Sequence, residues 1–489
     1  MGVYTIVRLV GLALAAVSLV PSANAQSAPP VAPAAASPVA PPAAPPAAVQ
    51  GKFLHLSDIH FNPLADPSLF AQLNAAPVGQ WEAILQTSSV TAIPTGSWED
   101  SNYPLLKSML AATRQSGPFD YIVYTGDYLS HGFMRQLRGF TRDKATQKDF
   151  AVKTVDFVNL MIANAFPALP LVATLGNNDS ACDDYNLAPG ADILAGVGND
   201  LPVVHQQPSA ESDFDAGGYY LVPHPTVANL DFIVLSIFWS TKYVNACAAG
   251  APDPAAAQLQ WFTNALAAEQ KAGRRAIVLM HIPPGVDGFS ASSNPAGLPP
   301  SLWLSSGGFL DDFQRLTAQY KGVLIGGYAG HTHMDEFRVL ADSAPYLAIK
   351  MAPSVSPYNG NRPAFTVVGY DPATGSALDY TVATLVNYGS TGPGTPAIWS
   401  NEYSFAATYG LAKFDAANAA ALAAKTRSDP ATRALFGHYY AAGNASRAER
   451  SNSWYYFSCA LDQLAAKPYQ ACIIATRRGP GKPRPARAQ

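Results

Sequence analysis

Five short segments of the chain each deliver one or two side chains able to hold a metal ion: Asp58-Ile59-His60, Gly126-Asp127, Gly176-Asn177-Asn178-Asp179, Met280-His281 and Gly330-His331-Thr332-His333. Together Asp58, His60, Asp127, Asn177, His281, His331 and His333 supply two carboxylates, one amide oxygen and four imidazoles. A set of that size suits two divalent ions with positions left open for water and substrate. Imidazole mixed with carboxylate favours zinc or iron over magnesium or calcium, so zinc is the expected metal, with iron or manganese as alternatives. Asp127 is the expected bridge. Two ions roughly 3.5–4 Å apart acidify a shared water, which makes a hydroxide between them the expected nucleophile and dispenses with a Ser or Cys nucleophile. Singly the motifs say little, since Gly-Asp is ordinary turn chemistry. Their order and common chemistry carry the reading of a dinuclear metallohydrolase.

The elements that must position these side chains are short strands. Apolar runs Phe53 to Ser57, Tyr121 to Thr125, Leu169 to Leu175, Ala276 to Met280 and Gly322 to Gly327 precede the five segments. Ligands at the carboxyl ends of several strands converge on one edge of a sheet, the usual site in α/β proteins. Residues 395 to 476 read as a helical lobe, with runs Ala416 to Lys425 and Pro430 to Ala442. His55 alternates with Leu54 and Leu56 and reads as structural; His205, His224 and His438 lie outside every motif and read as surface or packing residues.

The ordered set, D-x-H, G-D, G-N-[HN]-[DE], H and G-H-x-H, resembles the calcineurin-like metallophosphoesterase family. The resemblance covers residues 51–390 and implies an α/β fold, a two-sheet β-sandwich flanked by helices, with the C-terminal helical lobe beside it. It implies Asp58, His60, Asp127 and His333 around one ion, and Asp127, Asn177, His281 and His331 around the other. Gly126 to His131 and the stretch Glu402 to Leu411 are similar to the acid sphingomyelinase and acid sphingomyelinase-like phosphodiesterase group. Many members of that group carry a His where this chain has Asn178, and an Asn can donate a hydrogen bond but cannot transfer a proton near neutral pH. His131 is therefore the expected general acid, with Asn178 as a hydrogen-bonding partner in catalysis and Asp179 as an acceptor that orients its neighbours. The resemblance implies a metal-dependent phosphodiesterase acting on a phosphoester small molecule or a lipid headgroup. An endopolyphosphatase or nucleotide phosphohydrolase is the alternative, because the Asn variant also occurs in endopolyphosphatases. A non-catalytic metal-binding receptor or scaffold is the alternative of another class, disfavoured by the complete ligand set.

The 489 residues, 48% hydrophobic, suffice for one large core and a smaller helical unit. Arg8, the apolar run Leu9 to Val20 and Ala23-Asn24-Ala25 read as a signal peptide over residues 1–25. Residues 26–50 read as an Ala/Pro-rich linker, and no later run is long enough to span a bilayer. A secreted or periplasmic protein is expected. Four cysteines in an exported chain allow two disulfides; sequence proximity pairs Cys459 with Cys472 and leaves Cys182 with Cys247. The net charge is −3, and removing Arg8 and the five basic residues of the 477–489 tail leaves −9 for residues 26–476. An acidic body argues against a nucleic-acid duplex as partner. The basic tail reads as a solvated, disordered end.

Overall fold

β-Branched and aromatic runs, the residue types that fit a pleated, half-buried surface, form twelve strands among the described residues. The structure is a computed structural model that describes residues 50–96, 98–244, 246–247, 253–294, 301–303, 308–392, 394–444 and 453–478. The signal peptide, all of the linker except Gln50, and the tail beyond residue 478 lie outside the described residues.

One six-stranded sheet contains β1 (Gly51–Leu56), β2 (Tyr121–Tyr124), β3 (Leu171–Ala173), β10 (Ala364–Tyr370), β11 (Ala377–Leu385) and β12 (Trp399–Ser404), in the order β12-β11-β10-β1-β2-β3. The other contains β4 (Tyr220–Pro223), β5 (Leu230–Val234), β6 (Arg275–Leu279), β7 (Leu324–Ala329), β8 (Glu336–Ala341) and β9 (Pro345–Met351), in the order β4-β5-β6-β7-β9-β8. Both sheets are mixed. β1, β2 and β3 are parallel neighbours in the first, and β5, β6, β7 and β9 in the second. Parallel strands buried on both faces read as unbroken apolar runs, and β2 and β5 are buried at every position. Aromatic rings fill the space between the sheets: Phe53 stacks on Tyr121 at 4.7 Å and meets Tyr328 of β7 edge-on at 5.1 Å, while Tyr121 meets Phe232 of β5 at 5.8 Å.

Helices flank this sandwich. Asn102 caps the helix Tyr103–Ser116 through Leu105 N, and Asp253 caps Pro254–Ala272, each with Pro in the first turn, where its missing N–H costs nothing. C-terminal helices Ala416–Ser428 and Pro430–Tyr440 begin at Asp415 and Asp429, whose carboxylates accept from first-turn N–H groups. The stretch expected to be helical from residue 395 onward opens instead with β12, which extends the first sheet, before Phe405–Tyr409 starts the helical part. Both sequence-proposed disulfides, Cys182–Cys247 and Cys459–Cys472, are present. No described helix is long and apolar enough to cross a membrane.

Candidate metal centre

Every candidate ligand lies just beyond the carboxyl end of a parallel strand. Asp58 and His60 follow β1, Asp127 follows β2, Asn177 follows β3, His281 follows β6, and His331 and His333 follow β7. The first three segments come from one sheet and the last two from the other, so the site straddles both. His281 Nδ1 lies 2.7 Å from Thr125 O and ties the two sheets together.

The backbone is bent sharply to bring these groups inward. Asp58, His60, Asp127, His331 and His333 have φ between 46° and 74°, a left-handed conformation that costs non-glycine residues on the order of 1–3 kcal/mol each and clusters at functional sites. Compensating bonds hold the turn that carries Asp127. Asp179 accepts from Gly176 N (2.7 Å), Asp127 N (2.9 Å), Tyr128 N (2.7 Å) and Leu129 N (3.0 Å). Burial, with Asp127 nearby, lifts its carboxyl to about 6. The motif glycines are there for close approach: a Cβ at Gly176 would collide with the Asp127 carboxylate, and one at Gly330 with Ser57 Oγ and Asp58.

The side chains converge in two overlapping clusters, in each of which the candidate ligand atoms lie within 4.8 Å of one another: Asp58, His60 and Asp127, and Asp127, His281 and His331. Asp127 Oδ2 is 3.4 Å from His60 Nε2 and 3.1 Å from His281 Nε2, so one carboxylate belongs to both. His333 Nε2 stands 3.0 Å from His60 Nε2 and 3.5 Å from Asp58 Oδ1. Asn177 presents Oδ1 3.1 Å from His281 Nε2, while its Nδ2 donates to Asp184 Oδ1 at 2.6 Å. A carbonyl can only accept, so Nδ1 of His281 donates to Thr125 O and Nδ1 of His60 donates to Leu129 O at 2.9 Å. Both rings therefore turn Nε2 toward the cluster, the arrangement that prepares imidazole to ligate a metal.

The electrostatics are those of negative charge seeking cations. Burial opposes a proton on His60 and His281, yet the nearby acids, Asp127 foremost and Asp58 with it, raise them to about 10 and about 9. Burial and the neighbouring positive imidazoles keep His331 and His333 well below the usual histidine value. Burial also works against the Asp127 charge, but His281 and His60 hold its carboxyl well below the usual carboxylate range. The donor set of imidazoles, carboxylates and one amide oxygen fits two borderline divalent ions.

His131 lies at the edge of this centre. Asp100 accepts from His131 N at 2.7 Å and holds Nδ1 at 3.0 Å; Ser356 Oγ donates to the same carboxylate at 2.9 Å. The ring is sandwiched between Tyr358 at 3.7 Å and His60 at 4.0 Å. Its Nε2 is left for the cluster, where His131 groups with His60 and His333. Asn178 is turned to Asp127: its N donates to Oδ1 at 2.8 Å and its Nδ2 to Oδ2 at 3.0 Å. Asn178 therefore orients the shared carboxylate. His55 hydrogen-bonds Thr125 Oγ1 at 3.1 Å beneath the site. His205 pairs with Glu211 at the surface, and His224 packs against Tyr121.

A cleft of about 260 Å³ opens onto Asp127, His131, Asn177, Asn178, His331 and His333. Asp184, Tyr185, Lys242, Asp287, Tyr358 and Tyr440 also line it. Sequence patterns had no means of finding Asp100, Asp184 or Tyr358, which follow no strand and belong to no spaced motif. Tyr440 marks where the C-terminal helices reach the site. Its carbonyl accepts from Asp335 N at 2.8 Å, two residues after His333, while the Asp335 carboxylate binds Lys350 at 2.5 Å and Tyr403 Oη at 2.6 Å.

Residues 51–335 match the calcineurin-like phosphoesterase family. Human acid sphingomyelinase-like phosphodiesterase 3b (Homo sapiens) is 26% identical over 88% of this chain and 92% of its own. A cyclic GMP-AMP phosphodiesterase of Rattus norvegicus is 24% identical over 76% of this chain and 82% of its own. The human sphingomyelin phosphodiesterase is 26% identical over 65% of this chain, which spans 48% of that protein. Among solved structures, a dimetal phosphatase from Danio rerio aligns over 72% of this chain and 99% of its own, at 12% identity and a TM-score of 0.40.

Proposed function

Because the chain belongs to the calcineurin-like phosphoesterase family, we propose that it is an exported phosphodiesterase whose two metal ions are joined through Asp127. The carrying observation is that Asp127 Oδ2 stands within 3.4 Å of Nε2 atoms from both clusters. Asp58, His60, Asp127 and His333 would hold one ion, and Asp127, Asn177, His281 and His331 the other. When bound, the ions would supply an acidified water and would neutralise charge on the phosphoryl group. The protein's part is orientation and proton transfer. Thr125 and Leu129 fix the His281 and His60 rings, Asp184 turns the Asn177 amide oxygen inward, and Asn178 holds Asp127. With Nδ1–H committed to Asp100, any proton that His131 gives to the leaving oxygen departs from Nε2.

The catalytic region is residues 51–390, and residues 395–476 brace it through Tyr403 and Tyr440. Two disulfides support export, since such bonds persist in oxidising compartments. The names of the relatives point to sphingomyelin-type headgroups or nucleotides as substrates.

Turnover of bis(p-nitrophenyl) phosphate by the purified protein tests this reading. Activity is expected to disappear on chelation and to return with zinc, iron or manganese. A metal-replete protein that turned over neither this substrate, sphingomyelin, phosphocholine, ATP nor polyphosphate would instead be a metal-binding receptor or scaffold.

A further inference from the structure

The cleft reaching the candidate metal centre carries charges of both signs, and they differ in whether they are already engaged. Asp184 accepts from Asn177 Nδ2 at 2.6 Å. Asp287 caps the helix Gly288–Ser293 through Ser290 N at 3.0 Å and Ser290 Oγ. Glu336 is paired with Arg338 at 2.8 Å. All three acids thus have structural partners, and among the described residues Glu336 is the one of them matched by a cation. Lys242 differs. Among the described residues, no carboxylate lies within ion-pairing distance of its ammonium, which rests 5.3 Å from the centre of the Tyr185 ring. That ring stands 6.3 Å from His331, so Lys242 is one aromatic ring away from the candidate ligands.

The loop that carries Lys242 is built to hold its place. The Cys182–Cys247 disulfide joins it to the loop after Asn177. Val244 N donates to Tyr185 O at 2.9 Å, Tyr243 Oη to Leu187 O at 2.9 Å, and Thr241 N to Leu302 O at 3.0 Å. An exposed ammonium with no carboxylate partner among the described residues, carried by a braced loop at the wall of a cleft whose metal centre would bind phosphate, is placed to meet a second negative charge. We propose that Lys242 binds a second anionic group on the substrate, so that it favours phosphoanhydrides and nucleotides over substrates carrying a single anionic phosphate. This rests on the phosphoesterase reading and narrows its substrate class.

The test compares kcat/KM for ATP with that for bis(p-nitrophenyl) phosphate, a monoanion, in the metal-loaded full protein. Losing one charge-assisted contact is worth roughly 1.5–3 kcal/mol, or about tenfold and more. The ratio of the two kcat/KM values should fall by about that factor in Lys242→Ala, chiefly through KM for ATP, and Lys242→Arg should restore most of it. A ratio that is the same in wild type and Lys242→Ala overturns the second-anion site and leaves the phosphoesterase reading intact. Wild-type protein that cleaves bis(p-nitrophenyl) phosphate but binds ATP no better than phosphocholine also overturns it. Failure of the metal-loaded wild type to cleave any of these substrates overturns both.

Discussion

Replacing Asp127 with asparagine is expected to lower turnover by at least about 100-fold, since altering even the partners of metal ligands costs 10–100-fold, and to lower metal content with it. The reason is local. Among the described residues Asp127 Oδ2 is the one carboxylate oxygen near Nε2 atoms of both clusters, and asparagine would offer a neutral oxygen to each. Asn178, which now donates to both carboxylate oxygens, would face an amide whose nitrogen cannot accept. The metal-free protein provides an independent readout. Burial pushes His60 and His281 down, and the nearby acids, Asp127 foremost, lift them to about 10 and about 9. Without the Asp127 charge Asp58 still supports the proton on both rings but burial counts for more, so both imidazoles should lose their protons at lower pH when followed by NMR. Near wild-type turnover with full metal content would remove Asp127 from the shared position.

His131→Ala is expected to slow hydrolysis of substrates with poor leaving groups by roughly 10²–10⁴-fold, the span of general acid catalysis. p-Nitrophenolate departs without a proton, so its esters should suffer far less. Asp100→Asn should show the same leaving-group dependence more weakly, because it removes the carboxylate that fixes Nδ1–H of His131. Asn178→His in the His131→Ala background should recover part of the loss. Equal slowing of good and poor leaving groups, with metal content intact, would make His131 a phosphate-positioning residue instead.

The sequence revealed the strands and motifs because strand-end placement leaves a local trace: a short apolar run followed by a ligand type. β1, β2, β3, β6 and β7 all left that trace, although β7 ends at Ala329 rather than near Gly327. Contacts that depend on tertiary approach left none. Asp100 reaches His131 across 31 residues, and Tyr358 reaches it from the loop before β10. Neither position is distinguished by spacing. The helical reading of residues 395–476 missed β12 because Trp399 to Ser404 is polar at most positions. Pairing with β11, rather than an alternating apolar pattern, determines that strand. Left-handed backbone at five of the seven candidate ligands was likewise unreadable, because Asp and His favour that region far less strongly than glycine does.

Elemental analysis of the purified protein, wild type beside Asp127→Asn, tests the dinuclear centre most directly. Two transition-metal ions per wild-type chain, zinc foremost, with a marked loss from Asp127→Asn, is the predicted result. A single ion per chain, or magnesium or calcium alone, would contradict it.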